Sequence, residues 1–456
     1  MSGVSAPDQD QRAESDRPRL SRAVLAAYGI GGLGSGVYTT VPGLLLLYYM
    51  TDTLGIAAAL AGLGIFVPKL WDVITDPFMG SISDRTDSRF GRRRPYILAA
   101  ALALPLCFVA LFSVPELSPG AAFAWVMVSY VLAATAFTMF IVPYTAMPAE
   151  MSEDYDEVTS LMGWRVALLT VGILISGAAA PQLIELGGGG RGGYTFMAMI
   201  VAGVIFASML GTFVGTRSAP SRPRLDQSPP LREQLQAAAR VRPFRVLLST
   251  YALQLVGVGL VLANVPYFAR YTLGGDEGTV TIMFVALVAP AFAFMPGWVW
   301  LSKRTGKLRA YQLASALFGV GIGSLWLSSP SQMWLVNLQV GLAGIGFAGT
   351  QLFPFSMLPD TIAADRAKGG EQREGVFTGL WMAADKGAVA LGALFAGLVL
   401  DAGQFIETRA GELVDQPDTA MLAIRLSSSI LPALFLLSSL PMSRRYELDS
   451  KLEPDR

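Results

Sequence analysis

The sequence predicts an all-α membrane protein with about a dozen transmembrane helices, and three observations carry that prediction. Apolar residues make up 53% of the 456-residue chain and charged residues 15%, where a soluble domain carries about 25% charged residues. Apolar runs recur along the whole length, each long enough for the ~20 residues that a bilayer-crossing helix needs. Basic residues gather between those runs rather than within them. In lipid every backbone N–H and C=O must be paired inside the segment, so such runs can only be helices.

In chain order the spans are 22–50, 54–83, 95–114, 120–148, 160–186, 194–216, 244–271, 278–302, 310–329, 332–360, 373–401 and 419–442. The polar stretch 1–21 has no apolar centre of the kind a cleavable signal peptide carries, and reads as an N-tail. Between the sixth and seventh spans, 217–243 holds Pro220, Pro223, Pro229 and Pro230. It reads as a linker, with room for a short amphipathic helix at 231–240. The linker divides the chain into bundles 22–216 and 244–443, and 444–456 forms a C-tail.

All but seven of the 34 lysines and arginines fall in the tails, the linker and the loops after the second, eighth and tenth spans, while the loop after the fourth is acidic. The exceptions are Arg191, Arg270 and Arg409 in loops of the other face, and Lys69, Arg165, Lys386 and Arg425 in or near helices. The excess of basic residues marks the cytoplasmic face, so both termini are expected there. Net charge is zero and gives no footprint for nucleic acid. The one cysteine, Cys107, lies in an apolar run, so no disulfide forms within the chain. The absence of histidine removes the commonest proton relay and the commonest transition-metal ligand.

The halves resemble each other. Gly80-Ser-Ile-Ser-Asp84-Arg85 and Gly91-Arg92-Arg93-Arg94 follow the second span; Gly297, Lys303-Arg304-Thr-Gly306-Lys307 and Arg309 follow the eighth. Val142-Pro143-Tyr144 with Met147-Pro148-Ala-Glu150 ends the fourth span, and Phe353-Pro354-Phe355 with Leu358-Pro359-Asp360 ends the tenth. Two related six-helix halves point to the major facilitator architecture, whose site lies near the midplane between them. The loops at 80–94 and 297–309 resemble that superfamily's cytoplasmic gate motif, here Gly80, Asp84, Arg85, Gly91 and Arg92. Two G-x-G-x-x-G matches, Gly29-Gly31-Gly34 and Gly344-Gly346-Gly349, lie inside membrane runs, where small residues let helices approach. Neither follows a strand, so neither is a dinucleotide site.

The candidate site residues are charges inside spans. Lys69-Leu-Trp71-Asp72-Val-Ile-Thr75-Asp76-Pro77 places two carboxylates four residues apart on one helix face. A charge at the centre of a membrane helix costs about 2.5–3.5 kcal/mol. Two such carboxylates repel, and a hard cation between them relieves the repulsion. The alternative is a structural ion pair with Lys69 or a helix cap. Lys386 lies mid-span and needs a carboxylate: Asp72 or Asp76 across the halves, or else Asp360 or backbone carbonyls. Its neighbour Asp385 points about 100° away around the helix. Arg165 either receives an anionic or hydroxyl-rich substrate, or pairs with Glu150 or an aspartate of the second span.

These residues resemble the glycoside–pentoside–hexuronide:cation symporter family. The carriers of that family share the opening Tyr28-Gly-Ile-Gly, the turn Tyr48-Tyr49-Met-Thr51-Asp52, and the run from Trp71 to Pro77 with Gly80 and Ser88-Arg89-Phe90-Gly91-Arg92. The resemblance implies a cation site of Asp72, Asp76, Thr75 and Thr138, for Na+ or H+ as coupling ion and with no other cofactor. It implies a coupling lysine at Lys386-Gly387 and an arginine of the substrate pocket at Arg165, beside which Lys69 and Trp381 are further candidates for substrate binding. The chain departs from the melibiose type in four places: Gly36 and Ile141 stand where sugar-binding aspartates lie, Thr145 replaces a tryptophan, and Thr75 replaces an asparagine. A vertebrate branch that carries lysophospholipids keeps its cation residues in a more apolar cavity.

The expected function is secondary active transport of a small solute, sugar or glycoside first and lysolipid or other amphipath second. A monomer in the bacterial inner membrane is expected. A non-transporting sensor would have no use for Asp72, Asp76 and Lys386. A membrane enzyme would need a nucleophile motif or metal cluster that the sequence does not offer. The topology is open to direct test: tags at both termini should be protected in intact cells and accessible after permeabilisation, and an outside-labelled C-terminal tag would reverse the orientation.

Overall fold

The computed structural model describes residues 20–152, 154–219, 240–367, 374–409 and 414–446. The tails beyond these limits and the helix expected at 231–240, apart from Arg240, lie outside the described residues. Among them, 12 helices are long and apolar enough to cross a membrane. They are α1 (Arg22–Tyr48, extended by a π-helical turn Tyr49–Thr53), α2 (Ala58–Asp84), α3 (Arg94–Phe112), α4 (Pro119–Met151), α5 (Tyr155–Leu186) and α6 (Gly190–Gly215). The second half repeats the order: α7 (Arg242–Tyr267, with a π-helical turn Phe268–Thr272), α8 (Glu277–Thr305), α9 (Lys307–Ser324), α10 (Met333–Ala367), α11 (Glu374–Ala402) and α12 (Asp418–Ser443, with an internal π-helical turn).

Local chemistry sets the helix starts. Ser21 accepts from the Val24 N–H, Asp154 accepts from Glu157, and Asp276 forms a reciprocal capping box with Thr279. Hydrogen bonds from the Thr279 N–H first, and from the Thr279 hydroxyl and the Asp276 and Gly278 N–H groups, hold the Asp276 carboxyl below its ordinary pKa. Gly91 and Gly306, at equivalent places in the two basic loops, both take φ of 85°. An L side chain rarely adopts that backbone, so the turn selects glycine.

Two helices overrun the sequence expectation beyond a proline. α4 continues to Met151 past Pro148, and α10 to Ala367 past Pro359. Proline removes one backbone donor, and Ser/Thr side chains and neighbouring helices can satisfy the freed carbonyls, so the helix persists. Large apolar side chains such as Leu102, Leu106, Val128, Leu132, Trp334 and Leu338 are exposed in i, i+4 rows, the pattern of a lipid-facing surface.

Glycine holds the first bundle together. A β-carbon built on Gly32 would collide with the Arg165 carbonyl, and one on Gly172 with the Leu33 carbonyl. On Gly36 it would strike the Leu169 carbonyl and lie 3.0 Å from the Ile173 nitrogen. α1 and α5 therefore cross backbone against backbone, the small-residue packing of membrane helices. The glycines of both G-x-G-x-x-G matches sit at helix crossings too: Gly31 against Tyr144, Gly344 against Leu287, Gly346 against Phe318.

The halves meet unevenly. Apart from the Lys386–Asp76 pair, the half-to-half hydrogen bonds among the described residues lie on the face opposite the termini: Thr51 with Tyr267, Asp52 with Tyr271 and Thr408, Ala58 with Glu407, and Thr281 with Ala178 and Gln182. The seam between the bundles is closed on that face. Replacement of Gly36 by Val should separate α1 from α5 at a cost of about 1–3 kcal/mol, read as a lowered Tm of the purified protein. An unchanged Tm would mean the crossing has slack.

Candidate functional site

The acidic pair of α2 sits against α4 and α11. Asp72 is fully buried and Asp76 a quarter exposed. The Thr138 hydroxyl of α4 lies between them, 2.8 Å from Asp76 Oδ1 and 3.3 Å from Asp72 Oδ1. Lys386 Nζ of α11 donates to Asp76 Oδ2 at 2.5 Å, across the two halves. Lys69 Nζ lies 3.5 Å from Asp72 Oδ2 on its own helix and over the rings of Tyr38 (5.4 Å) and Tyr130 (5.6 Å). Each carboxylate thus has its own ammonium. Two of the expected pairings are made: Asp72 with Lys69, and Asp76 across the halves with Lys386.

Asp360, the other partner considered for Lys386, is taken by Lys307 at 2.5 Å. The Thr75 hydroxyl donates to the Trp71 and Asp72 carbonyls of its own helix, so α2 backbone rather than the carboxylate pair holds its proton. Trp381 has no exposed surface; it stacks on Tyr251 at 4.5 Å, and Phe355 meets its edge. Lys69 and Trp381 are enclosed in this arrangement and present little surface to a ligand.

Arg165 differs. Glu150, the carboxylate considered for it, is buried and bound to Arg93 Nε at 2.8 Å. Arg165 is half-buried, lies 5.6 Å above the Tyr144 ring and contacts the Met162 sulfur. Among the described residues it has no carboxylate partner. Tyr144 is in turn fixed by reciprocal bonds with Tyr28: each hydroxyl donates to the other's carbonyl, at 3.2 and 2.8 Å. At the departures, Ile141 packs against the core, the Thr145 hydroxyl caps the Val142 carbonyl at 3.1 Å, and Gly36 faces α5 backbone. Gly36 is thus fixed by helix packing, beyond any role in losing a sugar contact.

The basic loop after α2 forms a network. Asp84 pairs with Arg93 at 2.5 Å and with Arg92 at 3.7 Å, and Arg92 also donates to the Asp84 carbonyl. Arg93 reaches Ser83 as well as Glu150, tying α3 to α2 and α4. Gly80 leaves α2 close to Val142 of α4, Gly91 makes the turn, and the Arg85 N–H caps α2 on the Ile82 carbonyl. The sequence points to Arg92 in the gate and to Glu150 as a partner of Arg165, and assigns no role to Arg93 or to its pairing with Glu150. The parallel Lys307–Asp360 pair in the second half was the signal that could have found them. A second unassigned feature is Asp385, whose carboxylate accepts from the Tyr251 hydroxyl at 2.6 Å.

The family model described as MFS/sugar transport protein matches residues 27–450. The chain belongs to that family. It is a multi-pass membrane transporter with the major facilitator fold and not an enzyme. The resemblance to the glycoside–pentoside–hexuronide:cation symporters stands with it. Among its relatives are an uncharacterized symporter of Synechocystis (28% identical, covering 94% of each chain) and an isoprimeverose transporter of Lactiplantibacillus pentosus (26%, covering 90% of this chain and 85% of the relative). A sodium-dependent lysophosphatidylcholine symporter of Danio rerio is 23% identical over 98% of this chain and 91% of the relative. The nucleoside transporter NupG shares the fold, with a TM-score of 0.62 at 16% identity over 92% of this chain and 100% of that one.

Proposed function

We propose that this transporter is a symporter that moves a small solute with one monovalent cation, Na+ or H+, by alternating access. The observation that carries the reading is the Lys386–Asp76 pair beside Asp72 and Thr138. Asp72, Asp76 and Thr138 supply the oxygen ligands that a hard cation prefers. The two carboxylates are balanced by two lysines. Lys69 shares α2 with Asp72 and stays with it; Lys386 belongs to the other half and can leave. A cation that binds Asp76 competes with Lys386 and releases the halves from each other, which is the differential interaction a conformational change requires. The chain holds both bundles, so one copy completes the cavity. With cytoplasmic termini, the closed face is the outer one, and the arrangement described is open inward.

Asp76→Asn removes the charge that both the cation and Lys386 need, and Lys386→Ala removes the competitor. In proteoliposomes both should lose concentrative uptake by about 5- to 150-fold, the range of a 1–3 kcal/mol coupling. Lys386→Ala should keep counterflow at zero gradient. Accumulation by Lys386→Ala equal to the parent's would make the pair structural.

The open Arg165 favours a substrate that carries an anionic group, since a half-buried guanidinium without a counterion is stabilised by a carboxylate or phosphate. A uronide fits the sugar reading and a phosphate-bearing lysolipid fits the amphipathic one. Counterflow should be tested with a glucuronide, isoprimeverose and lysophosphatidylcholine. Arg165→Ala should weaken the anionic substrate by about 10- to 100-fold and leave a neutral one little changed. Equal loss for both would place Arg165 in the scaffold.

A further inference from the structure

The turns that end α1 and α7 repeat each other residue by residue. Tyr48 to Gly55 aligns with Tyr267 to Gly274: tyrosine at each start, then Thr53-Leu54-Gly55 against Thr272-Leu273-Gly274. Both turns are π-helical, and both glycines have φ of 66°. Leu54 N–H returns to the Tyr49 carbonyl at 3.1 Å, and Leu273 N–H to that of Phe268 at 3.0 Å. On this register Asp52 and Tyr271 occupy equivalent positions. They hydrogen-bond each other: the Tyr271 hydroxyl donates to Asp52 Oδ1 at 2.6 Å. Tyr48 and Tyr267, also equivalent, meet edge to face at 5.2 Å. The pseudo-twofold relation between the halves therefore runs through this contact, with an acceptor on one side and a donor on the other.

A strap from the end of α11 clasps the pair. The Thr408 N–H donates to the Thr51 carbonyl at 3.1 Å and the Thr408 hydroxyl to the Asp52 carbonyl at 2.6 Å. Glu407 accepts from the Ala58 N–H at 3.1 Å, Arg409 bridges to Leu54, and Phe405 sets its ring edge-on to Tyr267 and Tyr271. The corresponding loop after α5, Gly187 to Gly189, bonds only within its own half among the described residues.

We propose that the Asp52–Tyr271 hydrogen bond, made between equivalent positions of the two halves and clasped by the strap 405–409, is the gate that closes the cavity on the face opposite the termini. The contact has opposing tendencies. Asp52 is a carboxylate 4% exposed with no cationic partner within ion-pair distance among the described residues. Burial of such a group is unfavourable and opening returns it to water. The phenol and the strap hold it in place while the gate is shut, each bond contributing modestly. A gate so built is reversible, and removal of one donor tips it open.

The proposal rests on the alternating-access reading, and its test needs no substrate. Spin labels at Ser118→Cys and Ser331→Cys, exposed loop positions of the two halves on the closed face, are placed in a Cys107→Ser background of the full chain. Distances are then measured by double electron–electron resonance in lipid nanodiscs. Tyr271→Phe keeps the ring and removes the donor; it should raise the ratio of long to short distances about two- to tenfold. Thr408→Val, which cuts the strap without touching Tyr271, should shift the distribution the same way. Asp52→Asn, which keeps an acceptor, should shift it less than Asp52→Ala. Distributions unchanged from the parent in both Tyr271→Phe and Thr408→Val would overturn the gate. A shift without ion-dependent uptake of any probe would leave the gate standing and sink the symport reading.

Discussion

Among the described residues the ion pair between Lys386 and Asp76 is the salt bridge that joins the two bundles, and the proposed coupling depends on it. Four charges, Lys69, Asp72, Asp76 and Lys386, lie together inside helices that otherwise face apolar surroundings. Each would cost about 2.5–3.5 kcal/mol unpaired at the centre of a membrane helix. The two pairs solve this differently. Lys69 and Asp72 belong to one helix, so their pairing survives any movement of one bundle against the other. Lys386 and Asp76 are 310 positions apart and on opposite bundles. Their pairing is spent or kept according to how the bundles stand, and Thr138 links the same Asp76 back to Asp72.

That sensitivity has consequence only if each bundle moves as a body. The backbone crossing of α1 and α5 at Gly32, Gly36 and Gly172 supplies part of the stiffness, because no side chain lies between the helices to yield. Arg93, joined to Asp84, Ser83 and Glu150, locks the ends of α2, α3 and α4 together, and Lys307 with Asp360 does the like for α9 and α10. Between the bundles, among the described residues, hydrogen bonds at the closed face and one ion pair hold the halves.

Much of this was legible in the sequence. The spans follow from apolar length, and the intramembrane charges stand out because charged residues are rare in those runs. What was misjudged shares a cause. The apolar run behind α1 stops at residue 50, before the polar Thr51 and Asp52. Here their partners are Tyr267, Tyr271 and Thr408 of the other half, so the helix runs on through Thr53. α4 was ended at Pro148, where proline punctuates a soluble helix, yet a membrane helix continues. Gly36 was read through a missing carboxylate, while its position is set by the Leu169 carbonyl.

The sequence by itself determined the number of helices, their division into two related halves, and which charges the membrane would have to accommodate. Those depend on composition and on local period, and both are written along the chain. The tertiary structure alone decided which charge meets which. Glu150 went to Arg93 and left Arg165 open; Asp360 went to Lys307 and left Lys386 to Asp76; Asp52 met the hydroxyl of its own counterpart, Tyr271. A charge in low dielectric takes the nearest well-oriented partner, and nearness between segments hundreds of residues apart is fixed by helix rotation and crossing, which no local pattern records.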